Sequence, residues 1–256
     1  MIEYFKHVFE IFAKGFVMNS RRLIVFLLFT LFFLLASFLP ASLESETKDR
    51  QKQALFQTIR TVMRSGAEGE ALIDEVRNYV NQNSVHIAGK ESLAIGGDTP
   101  QVIERLLATA QTGKDKPELT CGPRALAAQA ILDGMGIPNR ITMLFSSHYS
   151  SVQSHTFLEV FHEGKWQILD ADYNSTYEVN GYRPDVWEVT QGKGNPPPPI
   201  PLFFGAVAYD YRLNGGYIAV HNISMKDKMF SDYGGVSFEQ WARQTYGESV
   251  LLHGFD

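Results

Sequence analysis

LTCGPRALAAQAILDGMGIPNRITML, residues 119–144, reads as a loop, a helix and a strand in direct succession. Gly122-Pro123 opens the helix. Proline's fixed φ suits a first helical turn, and its missing N–H is not needed there. RALAAQAILDGM carries the helix on, and the glycines at Gly134 and Gly136 end it, since glycine enters the left-handed conformation of a helix terminus freely. From Asn139 to Phe145 the apolar period changes to that of a strand.

Downstream, SHTFLEVFHEGKWQILDADYN, residues 154–174, reads as a hairpin. Strands over Thr156–Phe161 and Lys165–Ala171 flank the turn His162-Glu163-Gly164-Lys165. With Glu163-Gly164 as the central pair, Phe157 faces Asp170 and His155 faces Asp172. Side chains alternate along strands, so His155, Phe157, Asp170 and Asp172 then share one face. A one-residue slip in the turn breaks that parity. Upstream, helical periodicity runs over 51–64 (Leu55, Ile59, Val62, Met63) and 68–83 (Leu72, Val76, Tyr79, Val80). Thr99-Pro100 reads as an N-cap and first helical residue, followed by the stripe Val102, Leu106, Ala110 and a stop at Gly113. Beyond the hairpin, a stiff loop of Gly192 to Asn195 and Pro196 to Pro199 precedes strand-like runs at Leu202–Tyr209 and Gly216–Asn222. Helices followed by an antiparallel sheet give an α+β fold.

The composition fits a globular body: 256 residues, 45% apolar and 20% charged. It excludes a disordered or collagen-like chain. One cysteine excludes a disulfide framework and any multi-cysteine metal site. A net charge of −5 with no basic stripe argues against nucleic acid as a partner. The charge is uneven: residues 1–40 carry Lys6, Lys14, Arg21 and Arg22 against only Glu3 and Glu10. After Arg21-Arg22, LIVFLLFTLFFLLASFL (23–39) is uncharged. As a helix it reaches about 26 Å at ~1.5 Å per residue, near the short end of a bilayer span. Pro40 stops it, and the positive charge before it places the N-terminus in the cytoplasm and the body outside. A cleaved signal peptide is the rival reading, but the basic region is too long and Leu39-Pro40-Ala41-Ser42 offers no clean small-x-small site. Residues 2–17 are amphipathic, with Ile2, Phe5, Phe9, Phe12 and Phe16 on one side. They either lie along the bilayer surface or extend the anchor helix. The expected organisation is a cytoplasmic segment over 1–22, a membrane anchor over 23–42, a stalk or helix over 43–66, and a domain over 67–256 with its motif core at 119–174.

Cys121 sits at a loop-to-helix corner, where backbone N–H groups and the helix dipole favour a thiolate. The plainer alternative is a buried, inert thiol. A thiol enzyme also needs a base and a group to orient it. The hairpin offers His155, with Asp172 directly across from it and Asp170 diagonal to it, and either carboxylate can hold an imidazole N–H. Asp172, past the strand end, is expected to find water. His148 in a Ser/Tyr loop and His162 at the hairpin tip are rival bases. By alternation His162 points away from His155, so a metal site of His155, His162 and the aspartates fits poorly, and neither metal nor cofactor is expected.

The two stretches resemble the transglutaminase-like superfamily of papain-like thiol enzymes. The first is similar to its nucleophile helix: a Thr- and Gly-flanked cysteine, packing alanines, then Gly136-Ile137-Pro138-Asn139-Arg140 leading into a strand. The second is similar to its histidine strand, turn and Trp166-x-x-x-Asp170. The resemblance implies Cys121 as nucleophile, His155 as base and Asp170, rather than Asp172, as the orienting acid. It implies a papain-like α+β core and acyl transfer through a thioester, to water in a cysteine peptidase or amidase and to an amine in a protein-glutamine transglutaminase. The oxyanion would be held by the Cys121 N–H and one side-chain donor. Animal transglutaminases place a tryptophan before the nucleophile, whereas Trp166, Trp187 and Trp241 all follow it here. Gln101, Gln111 or Asn83 are substitutes that nothing in the sequence ranks. The departure favours hydrolysis, and no acidic calcium-binding pattern is present. A membrane-tethered binding module that holds substrate without cutting it is the alternative from another class. An acyl-CoA transferase would use the same triad but sits badly outside the cell. Expected partners are the lipid bilayer and a peptide, protein or other amide-containing substrate. Asn174-Ser175-Thr176 is a glycosylation sequon, relevant only in a eukaryotic secretory route.

Overall fold

The structure, a computed structural model, describes residues 46–87, 98–146, 153–197, 205–209, 218–221, 229–230, 235–246 and 250–253. The expected span Leu23–Leu39, the amphipathic segment 2–17 and His148 lie outside the described residues. Among the described residues, no helix is long and apolar enough to cross a membrane. The chain divides into two compact units after Arg50, and the fold that follows is that of the second, from Gln51 on.

Helical residues 51–63 (α1) lead into α2 (Gly69–Gln82), β1 (Val85–His86), α3 (Thr99–Thr112), β2 (Glu118–Leu119) and α4 (Cys121–Gly134). Then come β3 (Asn139–Ser146), β4 (Gln153–His162), β5 (Lys165–Leu169), α5 (Val186–Thr190), β6 (Gly205–Tyr209) and β7 (Ile218–His221). The chain continues through β8 (Met229–Phe230), β9 (Val236–Ser237), α6 (Phe238–Tyr246) and β10 (Val250–His253). The main sheet has the order β10-β7-β6-β3-β4-β5. All its neighbours are antiparallel except β10 and β7, which run parallel, so the sheet is mixed rather than wholly antiparallel as expected.

The α+β reading holds: α4 is largely apolar and mostly buried, so it needs partners on more than one side. Ala125, Ala127, Ala128, Ile131 and Leu132 are buried in it. It packs against β3 and β4 on one side and against α2 and α3 on the other. Val76, Val80, Ile103 and Leu106 from those helices meet Ile141, Leu158, Val160 and Leu169 of the sheet in one core, which Ala54 and Val62 of α1 join. A glycine allows α1 to approach closely: a Cβ on Gly134 would lie 2.5 Å from Ile59 Cδ1. The opposite face of the sheet is covered by the chain after β5, where Leu144, Phe157 and Ile168 pack on Tyr177, Val186 and Val189.

Two helix starts differ from expectation. Asp98, not Thr99, is the N-cap of α3, and Pro100 follows inside its first turn. Thr120 is the N-cap of α4, so Cys121 is its first residue rather than the residue before it. Pro123 is tolerated because the first four N–H groups of a helix have no partner within it.

The hairpin register is as expected, with His162 paired to Lys165 and Leu158 to Leu169. Glu163 and Gly164 have φ of 49° and 82°, the two positive values of a type I′ turn. Glu159, fully buried in β4, accepts from Arg140 Nε at 2.7 Å, Thr142 Oγ1 at 3.2 Å and Val186 N at 2.8 Å. Arg140 also stacks over Trp166, 4.1 Å from the ring centroid. This ion pair therefore ties the central strands to α5. Removing one partner leaves a buried charge alone, so Glu159→Ala is expected to lower unfolding free energy by about 3–5 kcal/mol, read by urea denaturation.

Candidate active site

The approach to Cys121 is fixed before the helix begins. β1 and β2 pair in parallel, Val85 with Glu118 and His86 with Leu119, and the fully buried Leu119 anchors the strand two residues ahead of the thiol. Thr120 is extended, at ψ 179°, and the chain then turns into α4. Cys121 is partly exposed, as an acylating thiol must be.

His155 stands on β4 opposite Leu144, and is 7% exposed. Its Nε2 lies 2.7 Å from Asp170 Oδ2, and the same side chain interacts electrostatically with the Cys121 thiol. With Nε2 engaged by the carboxylate, Nδ1 is the nitrogen left for sulfur. A neutral imidazole that donates Nε2–H to Asp170 therefore has a bare Nδ1, the correct state to accept the thiol proton. Tyr173 packs its ring 4.8 Å from the imidazole and Phe157 sits 5.9 Å away, holding the ring in place.

Asp170 follows the last residue of β5 and is fully buried. Its backbone makes one more bridge, exchanging N–H···O bonds of 2.8 and 2.9 Å with Ser175, and residues 171–174 form the turn between them. Four donors meet its carboxylate. Asp172 N at 2.9 Å and Tyr173 N at 3.1 Å reach Oδ1, while His155 Nε2 at 2.7 Å and Tyr177 Oη at 3.0 Å reach Oδ2. Burial, and after it the Asp170 charge, push the Tyr177 hydroxyl well above the usual tyrosine range, so it remains a donor.

The two reactive groups pull each other apart in acidity. Burial raises the Cys121 pKa, but the hydrogen bond to His155, the imidazolium charge and the Thr156 backbone outweigh it, and the thiol falls below its ordinary value. Burial lowers the His155 pKa, but the hydrogen bond and charge of Asp170, followed by Cys121, outweigh it and push the imidazole up to about 10. The pair thus favours thiolate and imidazolium together.

Asp172 is not directly across from His155, and it does not find water. The chain leaves the ladder after Leu169, so the turn carries Asp172 aside, with its Oδ2 4.0 Å from His155 Nδ1. It is 8% exposed and held by Arg124 and His86. His162 points away from the site beside Gly69 and Glu163. The Asn83 side-chain amide donates to Tyr79 O at 2.8 Å, and Gln101 and Gln111 are exposed on α3, so none of the three stands out as an oxyanion donor.

The site also contains residues that the sequence reading passed over: Arg124, Tyr177, Tyr173, His86 and Asn81. Arg124 alone left a signal, as a lone cation in an alanine-rich apolar helix one turn beyond Cys121.

No protein-family model matches this sequence, and no curated protein is significantly similar to it. Solved structures are. A TGase crystal structure is similar over 72% of this chain and 41% of its own, at 12% identity and a TM-score of 0.37. An inferred cysteine protease from Cytophaga hutchinsonii is similar over 46% of this chain and 37% of its own, at 15% identity and a TM-score of 0.33. An inferred protease from Parabacteroides distasonis is similar over 47% of this chain and 25% of its own, at 11% identity and a TM-score of 0.30. The chain therefore spans less than half the length of each.

Proposed function

We propose that this protein is a membrane-anchored, extracytoplasmic thiol acyl-transfer enzyme, a cysteine peptidase or amidase acting on peptide or amide bonds. The observation that supports it most is the Cys121 thiol in electrostatic contact with His155, whose Nε2 lies 2.7 Å from the buried Asp170 carboxylate. In this reading Cys121 is the nucleophile, His155 the general base and acid, and Asp170 the group that fixes the imidazole.

The Cys121 thiolate attacks the amide carbon, and a C–S bond forms. His155 gives its proton to the leaving nitrogen as the C–N bond breaks, leaving a thioester. His155 then takes a proton from water, whose oxygen attacks the thioester, and the C–S bond breaks to return the thiolate. The Cys121 N–H, at the start of α4 where backbone donors have no partner within the helix, suits the oxyanion. An amine in place of water would make the same site a transglutaminase. Anchoring rests on Arg21-Arg22 before the uncharged run 23–39.

Activity on a fluorogenic peptide-amide library, abolished by Cys121→Ala, is the direct test. Incorporation of an amine in place of hydrolysis would assign the amine acceptor, and substrate capture with no turnover would assign a binding module. Asp170→Asn turns an acceptor into a donor against Nε2–H and forces the wrong tautomer. The expected loss in turnover is on the order of 10⁴-fold, by analogy with loss of the acid in serine triads.

The pH profile has a defined sign. Rate climbs as pH rises through the lowered pKa of Cys121, and falls as His155 loses its proton at about 10. Asp170→Asn removes what holds the imidazole proton, so the alkaline limb should move to lower pH. An alkaline limb unmoved by that substitution argues against Asp170 as the partner of His155.

Topology is tested separately. A periplasmic or extracellular reporter fused after Asp256 should be active, and the membrane-bound chain should retain its residues before Leu23. A mature N-terminus near Ala41 would establish a cleaved leader instead.

A further inference from the structure

Beside the proposed triad lies a second buried carboxylate that the acyl-transfer steps do not use. Asp172 Oδ1 accepts from Arg124 Nη1 at 3.0 Å and pairs with His86 Nδ1 at 2.8 Å. Its backbone oxygen accepts from the same Arg124 Nη1 at 3.0 Å and from Asn81 Nδ2 at 3.0 Å, and Asn81 also holds Ala171 O at 3.1 Å. Arg124 and Asp172 have side chains only 3% and 2% exposed, whereas His86 is 46% exposed. Arg124 Nε has no hydrogen-bond partner among the described residues. Burying a guanidinium with an unmet donor is costly, so its bonds to Asp172 are the interactions that offset the burial.

The geometry links this cluster to catalysis in two ways. Arg124 sits one helical turn after Cys121, so the helix that presents the thiol also grips the turn 171–174. That turn supplies the Asp172 and Tyr173 N–H groups that orient Asp170. The other oxygen of Asp172, Oδ2, stands 4.0 Å from His155 Nδ1, the nitrogen left for the thiol. The ionisable groups around Asp172 are Arg124 and Cys121 on α4, His86 on β1, His155 on β4, and Asp170 and Tyr173 of its own turn.

We propose that Asp172 is a positioning residue: clamped by Arg124 and His86, it locks the turn that orients Asp170 and places a second negative charge against the Cys121–His155 pair. The charge opposes thiolate formation, and its effect is damped by the donors on Asp172. This inference rests on the thiol acyl-transfer reading above.

The test needs no substrate, because Cys121 is the single cysteine of the chain and iodoacetamide labelling reports it alone. Labelling rate is followed from pH 5 to 10 in the full chain and its variants. Asp172→Asn keeps an oxygen for Arg124 but removes the charge, and should move the labelling midpoint to lower pH. His86→Ala, at a half-exposed position where folding is not at risk, strips a donor from Asp172 and should move the midpoint to higher pH. Asp170→Asn, which weakens the imidazolium, should also move it up. Opposite shifts in Asp172→Asn and His86→Ala are not produced by mere loss of packing. Should Asp172→Asn fail to fold, the His86→Ala shift alone decides. An unmoved midpoint in both variants overturns the role, as does an upward shift in Asp172→Asn. A wild-type midpoint at the ordinary thiol value of about 8.5 would instead remove the Cys121–His155 reading itself.

Discussion

Four hydrogen bonds converge on one buried carboxylate, Asp170, and most of the candidate site is arranged to deliver them. Two come from the backbone of the turn that follows, one from Tyr177 and one from His155. A buried carboxylate with fewer donors would be expelled or neutralised. The requirement therefore dictates that the chain turn back at Asp170, that it bridge to Ser175, and that Tyr177 return to the sheet. Tyr177 does so with φ at 56°, an unfavourable conformation for a bulky residue. The loop 176–195 thus closes over the sheet face that holds His155, and Gly194 lets it do so. A Cβ there would meet Pro184 Cγ at 2.7 Å and Tyr177 O at 3.1 Å.

The opposite constraint acts from α4. That helix has neighbours on all sides, so it cannot shift without opening the core. Its first turn carries both Cys121 and Arg124. One rigid element thereby fixes the thiol and, through Arg124 and Asp172, the far side of the turn that cradles Asp170. The sheet supplies His155 between the two. Three segments distant in sequence are held to a common frame by packing on one side and by buried polar bonds on the other. The polar bonds define where the charges stand, and the apolar core keeps them there.

Much of this was legible in the residues. The helix of α4, the three strands that follow and the turn at Glu163-Gly164 are written in local patterns: Gly122-Pro123, the packed alanines, period-two strands and a glycine at positive φ. Such signals depend on a few neighbouring residues and survive without tertiary information. Cys121 and His155 followed from them as candidates, whereas only the family resemblance separated Asp170 from Asp172. The wholly antiparallel sheet did not survive, because β10 joins β7 from a distance at which sequence carries no pairing signal. The N-cap of α3 moved by one residue, an error typical of helix ends.

The choice between Asp170 and Asp172 shows where the boundary lies. Alternation alone placed both on the face of His155, with Asp172 directly opposite. That is correct only while the strand continues, and it ends at Leu169. Where a strand ends is decided by what competes for its backbone, and here Ser175 takes the Asp170 bonds. The fates of Asp172, Arg124, His86 and Tyr177 were settled in the same way, by bonds to groups 48 to 91 residues away or across a turn. By itself the sequence determined which chemical groups are present, the α+β class and the local elements that carry them. Only the tertiary structure decided which carboxylate meets the imidazole and which one is clamped aside. That choice depends on desolvation and on the number of donors reaching each oxygen, quantities that exist only once distant segments have come together.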